Sequence, residues 1–214
     1  MKHAAERAAQ FLAALKKLIP TAGMMLRYGN NWELLVAVIL SAQCTDKKVN
    51  EVTPALFKKY PTLDDYVRAK QDAFERDIKP TGFFRNKAKN ILGAAKAVKE
   101  RFGGEIPRTM ADMLTIPGVG RKTANVVLGN AYGVVEGIAV DTHVGRLARA
   151  FGLSQESNPE KIEKDLMKLF PKKEWFGLTY RLIEYGRRYC PARAHNHEKC
   201  PLAGLEVKQE KAGF

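Results

Sequence analysis

The sequence has few cysteines, no long apolar run and a shortage of acidic residues. Its three cysteines, Cys44, Cys190 and Cys200, are too few and too unevenly placed for a disulfide scaffold. The longest apolar run, at residues 34–40, is far too short to cross a bilayer, and no secretion signal is recognisable. We therefore expect a cytoplasmic protein of bacterial or archaeal type with no membrane partner.

The charge balance is strongly basic. Asp and Glu number 23 against 36 Lys and Arg, which gives a formal net charge of +13 over 214 residues. Such an excess points to a polyanionic partner such as nucleic acid, although a purely solubilising role stays open. Hydrophobic residues make up 45% of the chain, which is typical of a globular protein with one large domain or two small ones.

Strand signals are missing as well, whereas helix signals are frequent. The sequence shows no convincing hairpin of strands and no alternation of strands with helices. Residues typical of helix N-caps precede several helical patterns; these caps are Asn30, Thr45, Asp141 and Asn158. The pattern that follows Asn30 predicts a helix that continues through Gln43. These patterns predict an all-α protein of about ten short helices.

Residues 114–128, LTIPGVGRKTANVVL, predict two helices joined by a tight turn. Glycines in that turn let the backbone approach another surface closely. The first N–H groups of the second helix lack intrahelical partners, so they suit a backbone phosphate of nucleic acid. The candidate phosphate-binding residues are Gly118, Val119, Gly120 and Arg121. The alternative is a helix pair that merely turns on two glycines.

Two residues near this hairpin are candidates for chemistry. Lys122 lies in the first turn of the second helix, where the helix dipole and Arg121 disfavour its protonated form and so favour a nucleophilic amine. Its position alone fits a phosphate-binding lysine equally well. Asp141, in VDTH, caps a helix whose N–H groups hold its carboxylate ionised, so it is suited to stabilise a developing oxocarbenium ion or to accept a proton. A plain N-cap is the alternative, and the pairing with Lys122 favours the catalytic interpretation.

The stretch LTIPGVGRKTANVVLGNAYG, followed by AVDTHVGRLARAFGL, resembles the endonuclease III family of helix–hairpin–helix DNA glycosylases. SAQCTD, TGFFRNKAKNI and YGRRYC follow in the family's order, so the resemblance spans nearly the whole chain. It implies an all-α fold of two domains with a DNA cleft between them. A six-helix barrel covers residues 24–134 and includes the hairpin at about 110–130. Residues 1–23 and 135–214 form the second helical domain.

The resemblance also implies an activity. It implies a nucleoid-associated enzyme, expected as a monomer, that binds double-stranded DNA with a damaged base or an abasic site. Such an enzyme removes oxidised pyrimidines such as thymine glycol and then cleaves the strand by β-elimination. Lys122 matches the family's Schiff-base lysine and Asp141 its catalytic aspartate.

Three further positions carry over from the family. Gln43 matches a residue that fills the gap left by a flipped base, and Phe83 stands where an apolar wedge enters the opposite strand. His143 is expected near the cleft. Loop packing is the alternative for Phe83, and a capping or structural role is the alternative for His143.

The C-terminal stretch CPARAHNHEKCPLAGLE departs from the family. The family's four iron–sulfur cysteines fall on Cys190, His197, Cys200 and Glu206, so two of the four thiolates are missing. We therefore predict no [4Fe–4S] cluster and a metal-free packed loop over 190–206. The alternative is a zinc ion held by Cys190, His195, His197 and Cys200. Zinc accepts these residue types, although their spacing along the chain is cramped.

Two other functions compete with a bifunctional glycosylase. A monofunctional mismatch or adenine-type glycosylase needs the aspartate and a water molecule but not Lys122. A non-catalytic lesion-sensing protein fits a chain that lacks the cluster, yet it needs neither Lys122 nor Asp141. The presence of both residues therefore favours the bifunctional enzyme.

Overall fold

The computed structural model describes residues 2–205, and regular structure in this range is entirely helical. The range contains eleven α-helices and three short 3₁₀ turns, with no β-strand. The all-α prediction is therefore confirmed. None of the helices in this range combines the length and the apolar composition that crossing a membrane requires.

The described residues form two compact units. Met25–Glu136 is called the central unit here. The described parts of Met1–Met24 and Gly137–Phe214 together are called the terminal unit. The helices of the central unit are α2 (Asn31–Leu40), α3 (Asp46–Lys59), α4 (Leu63–Arg68), α5 (Gln71–Ile78), α6 (Phe84–Phe102), α7 (Met110–Met113) and α8 (Arg121–Tyr132). The helices of the terminal unit are α1 (Lys2–Leu18), α9 (Thr142–Ala150), α10 (Pro159–Leu169) and α11 (Lys172–Arg188).

Helix α2 is the core of the central unit. Residues 34–40 are all buried, as an almost uniformly apolar helix requires, and α2 packs against α6 and α8. Its start is well defined, because the Asn30 side chain accepts a hydrogen bond from the Glu33 N–H at 2.9 Å. The Glu33 carboxylate in turn accepts from the Gly29 N–H.

The end of α2 differs from the sequence prediction. The helix ends at Leu40 and does not continue through Gln43. Ser41 donates its hydroxyl to the Val38 carbonyl at 2.8 Å, which offers that carbonyl a local partner. Gln43 has a φ of 52°, a left-handed conformation that no helix interior accommodates.

The terminal unit is built from the two ends of the chain. Phe11 of α1 is 1% exposed, and its ring centroid lies 4.5 Å from that of Phe151. Arg181 of α11 donates to the carbonyls of Ile19 and Pro20, both at 3.0 Å, and so ties the chain after α1 to the last helix. The apolar face of α1 is therefore completed only by residues far along the chain.

We expect Phe11→Ala to destabilise the protein by about 3–5 kcal/mol, because it removes a buried aromatic ring and leaves a cavity beside Phe151. The matched control is Met25→Ala, since Met25 is 58% exposed and its truncation should cost less than about 0.5 kcal/mol. Denaturant unfolding followed by circular dichroism measures both. Equal and small effects would show that α1 does not contribute to the core of the terminal unit.

Candidate active site

The predicted hairpin is present in the central unit as α7, a turn and α8. Gly118 has a φ of 77°, and a Cβ added there would lie 2.6 Å from the Cβ of Asn90 on α6. The neighbouring Pro117 also faces α6, since a Cβ added to Gly93 would lie 3.3 Å from its Cβ. The turn therefore requires a glycine at 118 both for its backbone conformation and for its close packing.

The start of α8 is open to solvent. Gly120 has no side chain to cap the helix, and nothing would lie within 4 Å of a Cβ added to it. Arg121 is half-buried at the first position of α8, and Val119 is buried beneath the turn. The backbone amides of this helix terminus are thus displayed on a surface that a large anionic ligand can approach.

Lys122 is the second residue of α8 and is exposed. An exposed amine at a helix start is accessible to a substrate as large as a nucleic acid. The positive end of the helix dipole and the neighbouring Arg121 add to its positive charge, an arrangement that favours an anionic ligand.

Asp141 belongs to the terminal unit and caps α9. Its Oδ1 accepts a hydrogen bond from the Val144 N–H at 2.8 Å, so the predicted N-cap is confirmed. The preceding segment, residues 138–140, is buried, and Thr179 of α11 donates its hydroxyl to the Ala139 carbonyl at 3.3 Å. The carboxylate is therefore held by a rigid connector as well as by its own helix.

His143 is half-buried on the same helix, and its ring packs against α11. A Cβ on Gly186 would lie 2.5 Å from His143 Nδ1, and this nitrogen is buried without a hydrogen-bond partner among the described residues. Burial lowers the pKa of His143 below its ordinary value, Asp141 acts in the opposite direction, and Arg187 and Arg146 add to the lowering. The imidazole is therefore neutral at neutral pH.

Gln43 and Phe83 share an unusual backbone conformation. They are the only non-glycine residues with positive φ in the described range, at 52° and 48° respectively. Phe83 is 70% exposed, more than any other large hydrophobic residue described, and Gln43 is exposed too. Loop packing does not account for Phe83. Strained conformations of this kind cluster at functional sites.

The sequence analysis missed Lys87, which holds the loop before Phe83. This lysine is only 4% exposed and donates from Nζ to the Thr81 carbonyl at 2.7 Å. Burial lowers its pKa, so its ammonium depends on that hydrogen bond. Its position on the apolar face of α6, one helical turn before Ile91, was the available signal.

The C-terminal loop brings together four residues that can ligate a metal. Cys190, His195, His197 and Cys200 offer ligand atoms that all lie within 4.8 Å of one another. Glu206, which the sequence analysis aligned with the fourth cluster cysteine, lies outside the described residues. Histidine at 197 leaves a donor set of mixed sulfur and nitrogen, which does not fit the four thiolates of a [4Fe–4S] cluster.

We expect Gly118→Ala to destabilise the protein by about 2 kcal/mol or more, because it combines a left-handed backbone with a clash against Asn90. Gly120→Ala is the matched control, since it lies two residues away with a φ of −91° and open space around it. Thermal unfolding separates the two variants. A Gly118→Ala protein as stable as Gly120→Ala would contradict the close packing of the turn on α6.

Comparison with known proteins agrees with these observations. The family model of the HhH-GPD superfamily base excision DNA repair protein matches residues 36–172. Endonuclease III of Synechocystis sp. is 50% identical over 94% of this chain and 91% of its own length. A non-covalent endonuclease III–DNA complex matches with a TM-score of 0.90 at 42% identity, covering 94% of each chain. A trapped endonuclease III–DNA covalent intermediate matches with a TM-score of 0.88 at 42% identity, covering 93% of this chain and 95% of that one. The chain therefore belongs to the endonuclease III family within the HhH-GPD superfamily of base excision DNA repair proteins.

Proposed function

We propose that this protein is a bifunctional DNA glycosylase and AP lyase that removes oxidised pyrimidines, of the thymine glycol type, from duplex DNA. The observation that carries the proposal is Lys122, an exposed amine at the second residue of the hairpin's second helix. A similar protein, endonuclease III, has been trapped as a covalent intermediate with DNA, which supports a nucleophilic role for this amine.

The reaction begins with attack of the neutral Lys122 amine on C1′ of the damaged nucleotide. A C1′–N bond to the lysine forms while the glycosidic bond breaks, and the base leaves with the electron pair and takes up a proton. Opening of the sugar ring then gives a protonated Schiff base at C1′. Loss of a C2′ proton expels the 3′-phosphate as the leaving group, and water hydrolyses the imine to regenerate the lysine.

Asp141 supports this reaction as an anion of fixed orientation. Its carboxylate is held by the Val144 N–H, so it is preorganised to stabilise positive charge that develops on the sugar as the base leaves. As a carboxylate it is also suited to act as a general base. The same carboxylate keeps its capping role throughout.

The hairpin supplies the contact to the DNA backbone. The displayed amides near Gly118, Val119 and Gly120, with the charge of Arg121, bind a phosphate and set the position of the duplex without reading its sequence. Gln43 occupies the gap left by the flipped nucleotide, and Phe83 enters the opposite strand as an apolar wedge. His143, whose imidazole is neutral, lies on α9, the helix that Asp141 caps.

We further propose that this chemistry proceeds without a [4Fe–4S] cluster. The support is the donor set at the cluster positions, where histidine stands at 197 between Cys190 and Cys200. None of the residues assigned to the reaction lies in that loop.

Borohydride trapping on a duplex with one thymine glycol, and on one with an abasic site, tests the nucleophile. We expect Lys122→Ala and Lys122→Arg both to lower adduct formation by on the order of 10³-fold or more, because neither side chain forms a Schiff base. Lys122→Arg keeps the positive charge, so it should retain DNA binding. Lys168→Ala, which removes an exposed lysine of α10, should react like the wild type.

Asp141→Asn completes this experiment. Asparagine caps a helix as well as aspartate does, so the fold should persist while adduct formation slows by about 10²–10⁴-fold. Base release by the wild type with no adduct would make the protein a monofunctional glycosylase and Lys122 a phosphate contact. Neither adduct nor base release would point to a lesion-sensing binder.

Phe83→Ala tests the wedge. We expect it to lower kcat/KM on duplex thymine glycol by about tenfold or more, because an apolar side chain no longer fills the opened stack. Phe83→Leu should restore most of the loss. Trapping on a single-stranded abasic site should be unchanged, since no duplex has to be opened there. An equal loss on both substrates would instead assign Phe83 to the integrity of its loop.

A further inference from the structure

The loop that follows α11 brings two cysteines and two histidines to one point. From their geometry we propose that Cys190, His195, His197 and Cys200 hold a single Zn²⁺ ion, which takes the structural place of the cluster. The four ligand atoms lie within 4.8 Å of one another. The inference concerns a metal site and not the reaction, so it stands or falls independently of the proposed function.

Four of the six distances between the ligand atoms match a tetrahedral site, and the other two, from Cys190 to His195 and to Cys200, are at most 4.8 Å. His195 Nε2 lies 3.2 Å from His197 Nδ1, and Cys200 Sγ lies 3.3 Å from the former nitrogen and 3.6 Å from the latter. Cys190 Sγ lies 3.7 Å from His197 Nδ1. Tetrahedral zinc, with its ordinary bond lengths, separates sulfur from nitrogen by about 3.5 Å and nitrogen from nitrogen by about 3.3 Å. The ligands are therefore already spaced for one ion.

A second feature is the orientation of His195. Its other ring nitrogen, Nδ1, lies 2.9 Å from the Arg193 carbonyl. A hydrogen bond donated by Nδ1 to that carbonyl leaves the lone pair on Nε2, the atom that faces the other ligands. A ligating histidine ordinarily has such a backbone or carboxylate partner, which sets its tautomer and its ring orientation.

A third feature is the anchoring of Cys190 by an arginine. Arg146 of α9 donates from Nη1 to the Cys190 Sγ at 3.3 Å, and its Nη2 donates to the Cys190 carbonyl. Arg146 therefore fixes both the sulfur and the carbonyl of Cys190 relative to α9. Cys190 and Cys200 are 0% and 6% exposed, so both sulfurs are shielded from solvent.

The same geometry excludes a four-iron cluster at these residues. A cubane places an iron–iron edge as well as two metal–ligand bonds between each pair of ligand atoms, so its ligands stand farther apart than those of one ion. The separations of 3.2–3.7 Å in four ligand pairs, with no pair beyond 4.8 Å, suit a single ion. Two thiolates and two imidazoles are also a common donor set for structural zinc.

A metal-free packed loop, the sequence prediction, explains only part of the arrangement. Cys190, Cys200 and Leu202 do belong to the apolar core of the terminal unit, and the Cys200 thiol donates to the Tyr189 carbonyl at 3.0 Å in its protonated form. Packing gives no reason, however, for His195, which is exposed, to turn Nε2 towards His197 and the Cys200 sulfur.

Zinc would act as a cross-link in this part of the chain. It joins residue 190, just after α11, to residues 195–200, a stretch whose only regular structure is the 3₁₀ turn His197–Lys199. A loop with so few backbone hydrogen bonds loses much conformational entropy on folding, and metal binding offsets that loss. The cross-link thus braces the end of α11 against the apolar core.

The test measures metal directly in the full chain. Protein produced with zinc and iron both present is analysed by inductively coupled plasma mass spectrometry, and protein reconstituted with Co²⁺ alone is analysed by absorption spectroscopy. We expect about one zinc per chain, little iron, and thiolate-to-cobalt charge transfer with the visible bands of a tetrahedral ion. We also expect a zinc chelator to lower Tm by several degrees.

Variants at exposed and half-buried positions keep the test independent of folding. His195→Ala and His197→Ala should each lower zinc content to less than about a tenth of the wild-type value after dialysis, and should make Tm insensitive to the chelator. Glu198→Ala, an exposed residue between the ligands, and Cys44→Ser, a thiol of the central unit, should keep full zinc content.

Three results would overturn the inference. One is wild-type protein that takes up no stoichiometric zinc even on reconstitution. Another is iron and sulfide bound with the broad visible absorption of a cluster. The third is zinc that the double variant His195→Ala, His197→Ala retains in full.

Discussion

Three helices of the central unit share one apolar core, and this constraint determines where the candidate functional residues of that unit lie. Helix α2 is buried along residues 34–40, and α6 and α8 pack against it. Each of these helices buries a large part of its surface, and the candidate functional residues of this unit are exposed at or near the helix ends. Gln43 follows α2, Phe83 precedes α6 and Lys122 begins α8. Packing thus provides the rigidity, and the helix termini carry the residues proposed for DNA contact and reaction.

Residues at helix ends combine a structural role with a proposed functional one. The Asp141 carboxylate caps α9 and so acquires a fixed orientation, which is what electrostatic stabilisation of a transition state requires. The turn before Lys122 needs Gly118 for its close contact with Asn90, and that contact holds the start of α8 in place. Lys87 holds the loop of Phe83 through the Thr81 carbonyl. Each reactive group is therefore positioned by a neighbour whose own role is structural.

In the terminal unit, the residues that hold the helices and the C-terminal loop together differ from those proposed for the reaction. Arg181 and Phe11 join the first and last helices, and the loop after α11 adds the group of two cysteines and two histidines. The loop contributes buried sulfurs to the apolar core but none of the residues assigned to the reaction. Replacing a redox-active cluster by a single closed-shell ion would change the stability of this loop without altering the chemistry proposed for Lys122 and Asp141.

Local signals in the sequence determined the helical class, the hairpin and most helix starts, because a cap or a glycine acts within a few residues of its own position. Asp141 and Asn158 cap the helices that they predicted, and Gly103 ends α6 in the left-handed conformation. The resemblance carried by residues 114–146 then supplied Lys122 and Asp141 as a catalytic pair, an assignment that remains a prediction. Helix α5 was not predicted from the sequence, because its apolar pattern is short and no side chain caps its start.

Only the tertiary structure decided the remainder. Burial of Lys87, the strained backbone of Gln43 and Phe83, and the convergence of His195 with Cys200 all depend on groups brought together by packing. Spacing along the chain made the four candidate metal ligands look cramped, whereas the folded loop, with its 3₁₀ turn at His197–Lys199, brings all four ligand atoms within 4.8 Å of one another. The sequence names the ligands, but the distances between them are a property of the folded loop.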